Sequence, residues 1–454
     1  MNGRLQRSVV VVGGGATGVI LAANLARFSD NVRVAVVEKS GEFGRGLAYS
    51  TRLADHRLNV RADMMGAFSQ DTRGFWSWIK AEKLVTHDYA HSFLPRDLYG
   101  RYLSALFDDI RALPGGQVRG IADECIDINT TSSGVEVLLA SGVSLPAHAA
   151  ILAVGHDPNP APEQAFGQRL SGRKADIDPN GRIVILGSGL SMIDAWLSLE
   201  HQGHRGQVIV ISRRGLLPQA HVALRNPLHL DSADVPLGTE LSYFVRWFGE
   251  LVEETKRAGG DWRDVIDGLR PFNQRIWREW PLSARRRFLE HTKAWWDIHR
   301  HRLAPDVRAR AEEAIAEGRL KLVAAKVLEA SHNEAGQTTL TVRPRNRTET
   351  DTIVADHVID CTGVAKDITR SSLPLLQKLF AKGLIRPDPL RLGIDVTANC
   401  AAVDRTGAAS TKLFAIGPVT RGAFFEIDAI PEIREQCAAL ASQLSGEISI
   451  SRSA

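Results

Sequence analysis

Near its beginning, the chain carries glycines at the spacing of a turn that binds phosphate groups. They fit the pattern G-x-G-x-x-G, between an apolar β-branched run at 9–12 and a helical pattern at 16–28. The first glycine allows a tight turn, the second lets the backbone approach a pyrophosphate, and the third lets the helix pack closely on the strand. The amides that open the helix then face the phosphates. The residues that we expect to form this phosphate site are Gly13, Gly15, Ala16, Thr17 and Gly18.

An acidic residue follows the next predicted strand, at 32–37, and completes the pattern of a dinucleotide site. Glu38 lies 20 residues after Gly18, where a carboxylate can accept hydrogen bonds from ribose hydroxyl groups. We expect Glu38 and its neighbour Lys39 to contact the nucleotide. The alternative is a glycine-rich turn beside a surface acid. The strand, turn, helix and acid in this order favour a nucleotide site.

A second turn of this kind lies in the middle of the chain. Gly187 and Gly189 follow an apolar run at 183–186 and precede a helical pattern at 190–201. Met192 takes the place of the third glycine. Because methionine does not allow the same close approach of helix and strand, this half of the pattern is weaker than the first.

The strand predicted after this second turn ends in a basic segment instead of an acid. The segment is Ser212-Arg213-Arg214. A guanidinium group can bind the 2′-phosphate of NADPH through paired hydrogen bonds, whereas a carboxylate would repel that phosphate. The alternative is a basic strand end in solvent. The basic segment favours NADPH over NADH as the ligand of the second site.

The two sites differ in charge, and this difference indicates different ligands. One nicotinamide site alone would be typical of an ordinary dehydrogenase. An acidic site beginning at Gly13 and a basic site beginning at Gly187 suggest that FAD is held by the first and that NADPH visits the second. The chemistry would then be hydride transfer from NADPH to the flavin.

These motifs require an α/β chain with two Rossmann-like dinucleotide-binding domains. We expect residues 1–157 and 351–454 to form the FAD-binding domain and residues 175–350 to form the NADP-binding domain. Six of the nine Trp residues lie in a helical pattern with Arg-rich faces, which predicts a helical insertion at about 237–317 of the second domain. Core packing is the more common role of such aromatics, and covering the substrate cavity is the alternative. A single strand is expected at 353–360.

The composition is that of a soluble globular protein and excludes several classes of function. The chain has 454 residues with 56 Lys and Arg against 52 Asp and Glu, and the formal charge of +4 is too small to indicate a nucleic-acid or membrane partner. The glycines at 13–15 interrupt the first apolar run, which argues against a signal peptide or membrane span. The four cysteines include no C-x-x-C pair, so we expect a cytoplasmic protein without a dithiol redox site.

No other catalytic motif competes with the nucleotide sites. The sequence lacks the nucleophile motif G-x-S-x-G, and the arginines around His299-x-His301 disfavour a metal ion there, so no metal site is expected. The loop at 44–68 offers candidates for a water-poor pocket beside the flavin. His56 could move a proton near neutral pH and Asn59 could hydrogen-bond the flavin ring, although both could instead only pin the loop. Further candidates for the lining are Tyr49 and Met65, and His221 is a weaker candidate from the nicotinamide side.

Three segments that end predicted strands resemble those of flavoproteins with two dinucleotide-binding domains. They are ILAVG ending at Gly155, VIDCTG ending at Gly363, and LFAIGP ending at Gly417 and Pro418. The wider group has an Asp at the position of Pro418, where it holds the ribityl chain. The departure implies that ribityl contacts come from elsewhere, such as the backbone near Gly422 or Ile430.

Other stretches are similar to a bacterial family of FAD/NAD(P)-binding proteins, over nearly the whole chain. They are GRGLAY at 44–49, HRLNV at 56–60, PRDLYGRY at 95–102, SRRGLL at 212–217, DWRDVIDGLR at 261–270 and WWDIHRHRLAP at 295–305. The resemblance implies flavin contacts from Gly46, Leu47, Tyr49, Asn59, Gly155, Gly363, Gly417 and Pro418.

Relatives in this group include flavin-dependent N-hydroxylases of amino acids. The resemblance therefore implies an FAD-dependent, NADPH-oxidising monooxygenase that works through a flavin C4a-oxygen adduct. It would use O2 and a small-molecule substrate such as an amino acid or amine. One alternative is an NADPH reductase that passes electrons to a quinone or protein acceptor. The other is a non-catalytic flavin-binding sensor, supported only by Met192 and Pro418.

Overall fold

The computed structural model describes residues 7–29, 31–85, 90–156, 177–222, 227–334, 336–363 and 367–446. The chain divides into two units. The first unit comprises residues 1–54, 60–160 and 364–454, and the second comprises residues 55–59 and 161–363. None of the described helices is long and apolar enough to cross a membrane.

Both units combine helices with strands. The strands, in chain order, are β1 (Arg7–Val12), β2 (Val32–Val37), β3 (Val118–Ile121), β4 (Cys125–Thr130), β5 (Val135–Leu139), β6 (Ser144–Ala147), β7 (Ala149–Leu152), β8 (Ile183–Leu186), β9 (Val208–Ser212), β10 (Leu320–His332), β11 (Thr338–Pro344), β12 (Asp351–Ala355), β13 (His357–Asp360), β14 (Ala401–Val403) and β15 (Ala409–Ala415). The helices are α1 (Ala16–Phe28), α2 (Gly46–Tyr49), α3 (Gly74–Ala81), α4 (Arg96–Arg111), α5 (Leu190–His201), α6 (Leu241–Arg257), α7 (Trp262–Leu269), α8 (Asn273–Glu279), α9 (Leu282–Arg287), α10 (Lys293–Arg300), α11 (Pro305–Ala316), α12 (Pro374–Lys382) and α13 (Ile430–Ser445).

The main sheet of the first unit has the strand order β14-β15-β7-β1-β2-β3. Strand β1 pairs in parallel with both β2 and β7, and only the β14–β15 pair is antiparallel in this sheet. Helix α1 packs against α13 and α4, and residues 9–12 of β1 form a buried apolar run, as is typical of a parallel sheet with covered faces. The β1-α1-β2 connection places the first glycine turn and Glu38 at the carboxyl ends of neighbouring strands, where ligands bind in such sheets. Strands β4, β5 and β6 form a separate antiparallel sheet.

The sheet of the second unit has the strand order β12-β11-β10-β9-β8-β13. Strands β13, β8, β9 and the first part of β10 run parallel, and the rest of β10 pairs antiparallel with β11. A buried core on this sheet includes Val184, Ile211 and Val342. The β8-α5-β9 connection repeats the arrangement of the first unit, because the second glycine turn and the basic segment follow neighbouring parallel strands.

Helices α6 to α11 lie in the chain between β9 and β10 and form a helical insertion in the second unit. Its tryptophans divide into two kinds. Trp277 and Trp280 are buried at 1% and 4% exposure, whereas Trp295 is 43% exposed. A five-residue π-helical turn, Phe288–Thr292, joins α9 to α10.

The fold class is the expected one, with two Rossmann-like units and a helical insertion in the second. The expected single strand at 353–360 was wrong, because the chain turns at Asp356 between β12 and β13. The expected boundary after residue 350 also differs from the structure. Strands β12 and β13 satisfy their backbone hydrogen bonds with β11 and β8, so the second unit extends to Gly363.

Candidate functional site

The first glycine turn has a conformation that only glycines allow. Gly13 has a φ of +105°, and a side chain there would overlap the carbonyl of Ala153. A side chain at Gly18 would overlap the carbonyl of Gly13, which explains the third glycine of the motif. Helix α1 begins at Ala16 without a side-chain cap at Gly15. The first amides of α1 are therefore available to an anionic group.

The carboxylate of Glu38 is held in place beside this turn. Its Oε2 accepts a hydrogen bond of 2.8 Å from the amide of Gly14. Its Oε1 accepts bonds of 3.0 and 2.9 Å from the amide and hydroxyl of Ser40. A carboxylate has about four acceptor sites, so one remains for a ribose hydroxyl group. Lys39 lies next to it with an exposed side chain.

A short loop closes over the first turn and brings α2 to it. The amide of Gly44 donates a 2.7 Å hydrogen bond to the carbonyl of Gly14. Gly46 has a φ of +52°, and a side chain on Gly15 would lie 3.4 Å from its Cα. Leu47 is 68% exposed at the start of α2. An exposed leucine beside a phosphate-binding turn offers an apolar surface to a ligand.

Tyr49, at the end of α2, packs into the first unit. Its ring lies edge-on to Tyr99, with 4.8 Å between ring centroids. A side chain at Gly100 would lie 2.5 Å from the carbonyl of Tyr49, so this glycine lets α4 approach α2. Burial raises the pKa of the Tyr49 phenol, which therefore stays protonated and does not act as a base near neutral pH.

The three strand-end glycines identified in the sequence all have left-handed backbone conformations. The φ angles of Gly155, Gly363 and Gly417 are +70°, +105° and +72°. Among the described residues, no other group lies within 4 Å of the position that a side chain would take at Gly155 or Gly363. A side chain at Gly417 would lie 2.7 Å from the hydroxyl of Thr17, so β15 ends directly against α1.

A buried glutamine on α13 holds the segment where the wider group has an aspartate. Gln436 Oε1 accepts a 2.7 Å hydrogen bond from the amide of Gly417, and its Nε2 donates to Thr420 Oγ1 at 3.3 Å. Gly417 and Pro418 are themselves buried by the protein, which leaves little of their surface for a ligand. Sequence reasoning missed Gln436, whose only signal is a polar residue within an apolar helical pattern.

The second glycine turn is formed without a third glycine. Gly187 has a φ of +93°, and a side chain there would overlap the carbonyl of Cys361. At Gly189, by contrast, no atom of the described part of the chain lies within 4 Å of the position that a side chain would take. Met192, on α5, is fully buried, so the core of the second unit accommodates it. Helix α5 begins at Leu190 without a side-chain cap, as α1 does.

The basic segment after β9 is linked to the second turn. The hydroxyl of Ser188 donates a 2.9 Å hydrogen bond to Ser212 Oγ, which also accepts one of 3.0 Å from the amide of Gly215. Arg213 is exposed and forms no hydrogen bond or ion pair with any residue that the structure describes. Its neighbour Arg214 is held by two groups of the helical insertion, the carbonyl of His291 and the ring of Trp295. Neither was found from the sequence, because their contact with Arg214 spans more than 75 residues.

His56 and Asn59 belong to the second unit, although they were predicted for a pocket of the FAD-binding domain. His56 is 8% exposed, and its Nε2 lies 3.0 Å from both the carbonyl of Asp194 and the hydroxyl of Ser198 on α5. The Asn59 carbonyl lies 3.1 Å from Nε2 of His221. These contacts agree with the alternative in which His56 and Asn59 hold their loop in place. Met65 is 1% exposed and packs in the core instead of lining a pocket.

Three of the four thiols are poorly suited to redox exchange. Burial raises the pKa of Cys125 and of Cys400 to about 12, and it raises the pKa of Cys437 well above its usual value. Cys361 is half-buried, and its Sγ lies 3.5 Å from the carbonyl of Ser191. No two of them form a disulfide. Thiolates are the reactive form, so the three buried thiols are inert near neutral pH.

Comparison with known proteins agrees with the nucleotide sites. Residues 10–157 match the model of the FAD-NAD(P)-binding family, so this part of the chain is an FAD/NAD(P)-binding domain. The resemblance seen in the sequence is confirmed for this part. An uncharacterized protein of Mycobacterium tuberculosis is 24% identical over an alignment of 490 positions, which covers 92% of this chain and 90% of the relative.

Solved structures share the fold of both units. The ornithine N-hydroxylase of Kutzneria sp. 744, solved with reduced FAD, NADP+ and L-ornithine, is 14% identical with a TM-score of 0.63 and covers 97% of this chain and 99% of its own. The FAD-bound cadaverine monooxygenase of Erwinia amylovora is also 14% identical with a TM-score of 0.63, and the coverage is 96% and 94%. At this identity the likeness is one of fold.

Proposed function

We propose that this protein is an FAD-dependent, NADPH-oxidising monooxygenase that hydroxylates the nitrogen of a small primary amine or amino acid. The observation that carries the proposal is the pair of glycine turns with opposite charges after the following strands. A fixed carboxylate, Glu38, follows one turn, and an exposed guanidinium, Arg213, follows the other and has no partner among the described residues. A chain with these two sites can hold FAD in one unit and bind NADPH in the other.

The residues of the first unit fit FAD. Gly15 has no side chain that would keep the pyrophosphate away from the backbone. The uncapped amides at the start of α1 can donate hydrogen bonds to it. Glu38 would hold the ribose, and Leu47 and the backbone of Gly155 would contact other parts of the cofactor. When bound, FAD supplies the hydride acceptor and the activation of oxygen.

The residues of the second unit fit the 2′-phosphorylated nicotinamide nucleotide. The open space at Gly189 lets phosphates approach the uncapped start of α5. Ser212 joins the phosphate turn to the basic segment, so Arg213 is placed beside the expected ribose. A carboxylate at this strand end would favour NADH, and the chain has none there.

The comparisons support the choice of oxygen and an amine over other acceptors and substrates. The similar structures named above act on ornithine and on cadaverine, which share a primary amine at the end of an alkyl chain. The inert thiols argue against a disulfide substrate. The reduced state of the thiols also suits a cytoplasmic protein.

We assign His56 and Asn59 to the positioning of residues 55–59 on the second unit. Both contacts of His56 Nε2 are to α5, the helix that begins directly after the second glycine turn. Asn59 acts through its backbone carbonyl, which meets His221. Because the His56 ring is hydrogen-bonded to α5, we expect another group to carry out proton transfer.

The proposal is tested with purified protein and a panel of ornithine, lysine and cadaverine. We expect a yellow protein whose NADPH oxidation and O2 uptake both increase when the right amine is added, with hydroxylated amine as the product. Peroxide alone, formed at the same rate with or without any amine, would contradict the proposal. Rapid anaerobic reduction of a quinone without amine hydroxylation would support the reductase alternative instead. Colourless protein that does not take up FAD would exclude both.

A further inference from the structure

The helical insertion contributes a carbonyl and an aromatic ring to the basic segment after β9. Arg214 Nη2 donates a 2.9 Å hydrogen bond to the carbonyl of His291. The same guanidinium lies 5.7 Å from the centroid of the Trp295 ring, within the range of a cation–π contact. The two contacts restrict the position of the guanidinium.

The segment that supplies these groups is anchored in the core of the insertion. Phe288, the first residue of the π-helical turn, is 4% exposed, and its ring lies 5.5 Å from that of Trp280 and 6.2 Å from that of Trp277. The turn ends where α10 begins, so His291 in the turn and Trp295 in α10 lie close together in the chain, and both contact Arg214. Short π-helical turns often occur at functional sites.

Trp295 is unlike the core tryptophans of the insertion. It is 43% exposed, although a large aromatic ring gains most when it is fully buried. Its partner Arg214 stands next to Arg213, which is exposed and without a partner among the described residues. The two arginines therefore differ. The guanidinium of Arg213 has no partner among the described residues, whereas that of Arg214 is already held before a ligand binds. A guanidinium has five N–H donors, so the bond to His291 leaves Arg214 with donors for a phosphate.

We propose that Trp295 is a positioning residue for recognition of the 2′-phosphate of NADPH. It holds Arg214 so that this guanidinium and that of Arg213 bind the phosphate together. The helical insertion thereby helps to determine the choice of NADPH over NADH. The inference rests on the proposed function for the identity of the nucleotide, but it concerns binding only and does not depend on the amine, on oxygen or on flavin chemistry.

The test compares the affinities for NADP+ and NAD+, which differ only in the 2′-phosphate, by isothermal titration calorimetry. Trp295→Ala should lower the NADP+ preference about threefold to tenfold, whereas Trp295→Phe should keep it within about twofold because a ring remains. Arg213→Ala should lower it more than about tenfold. Tyr243→Ala is the matched control, because Tyr243 is 47% exposed in the same insertion and Arg246 lies 5.8 Å from its ring centroid.

A purely structural role of Trp295 would affect both nucleotides equally and leave their ratio unchanged. An unchanged ratio in Trp295→Ala would therefore overturn the inference, as would wild-type protein that does not prefer NADP+. If Trp295→Ala does not fold, Arg214→Lys provides the test. It keeps the charge but loses the planar fork, and it should lower the ratio. A preference that changes as expected in a protein without monooxygenase activity would support the inference while the proposed function fails.

Discussion

Glu38 and Arg213 follow the second strands of their units, and they differ in charge and in how firmly they are held. The carboxylate of Glu38 accepts three hydrogen bonds from its neighbours, whereas Arg213 has none with the described residues. A side chain that is already held in place loses little conformational entropy when a ligand binds, so it favours tight binding of a ligand that stays with the protein. A side chain that is not held in place, such as that of Arg213, is suited to a nucleotide that binds and dissociates in each cycle.

The first prediction at this scale concerns Glu38. Glu38→Gln should lower FAD affinity about tenfold to a hundredfold, because a charged acceptor for the ribose is lost and an amide group then faces the amide of Gly14. Flavin content after purification and a fluorescence titration with FAD would measure the change. Glu42→Gln is the control, since Glu42 is exposed four residues further along. Full flavin content in Glu38→Gln would show that the carboxylate does not hold the ribose.

The turns that open α1 and α5 show how one element can be built with two sequences. Gly18 has no room for a side chain, while the corresponding Met192 is fully buried in the second unit. The first glycine is needed in both turns, because Gly13 and Gly187 have positive φ angles and face a carbonyl. The third position of the motif is therefore less restrictive than the first.

A prediction for the second turn compares two of its glycines. Gly187→Ala should reduce the free energy of unfolding by about 2 kcal/mol or more, because alanine is strained at positive φ and would meet the carbonyl of Cys361. Gly189→Ala should change it by less than about 0.5 kcal/mol, since the position is open. The second variant should nevertheless weaken NADP+ binding, because its methyl group occupies the approach to the phosphates. Urea unfolding and calorimetry measure the two effects. Equal stability of the two variants would contradict this account of the turn.

At the scale of the whole molecule, buried acidic groups make stability depend on alkaline pH. The thiols and phenols whose pKa is raised by desolvation lie in the first unit; they are Cys125, Cys400, Cys437, Tyr49, Tyr99 and Tyr102. The pKa of Cys125 is raised from 9.0 to about 12 and that of Tyr102 from 10.0 to about 12. Between the unfolded and folded values, the unfolded chain binds fewer protons than the folded one, so stability falls as the pH rises.

We therefore predict that the midpoint of urea unfolding is constant between pH 7 and pH 8 and decreases above pH 9. The loss should be about 1 kcal/mol at pH 10 for each thiol raised as far as Cys125. Tyr102→Phe should make the dependence above pH 10 shallower, because it removes one of the titrating phenols. A midpoint that stays the same from pH 8 to pH 10.5 would show that these groups are not protected by folding.

Local features of the sequence were sufficient for the β1-α1-β2 segment and its counterpart in the second unit. The helix predicted at 16–28 is observed as α1 (Ala16–Phe28), and the glycine spacing and strand-end charges indicated the two nucleotide sites. Strand and helix periodicity, turn geometry and capping act between residues near each other in the chain, which is why they can be recognised there.

Long-range contacts decided the rest. Strand β13 pairs with β8 through His357 and Ile183, far apart in the chain, and this pairing assigns residues 351–363 to the second unit. His56 joins that unit through α5, and Arg214 is held by His291 and Trp295. Residue types told us which side chains can hydrogen-bond or stack. Which partner each of them meets depends on how distant elements pack to bury their apolar faces and satisfy their backbone groups, and that is a property of the folded chain.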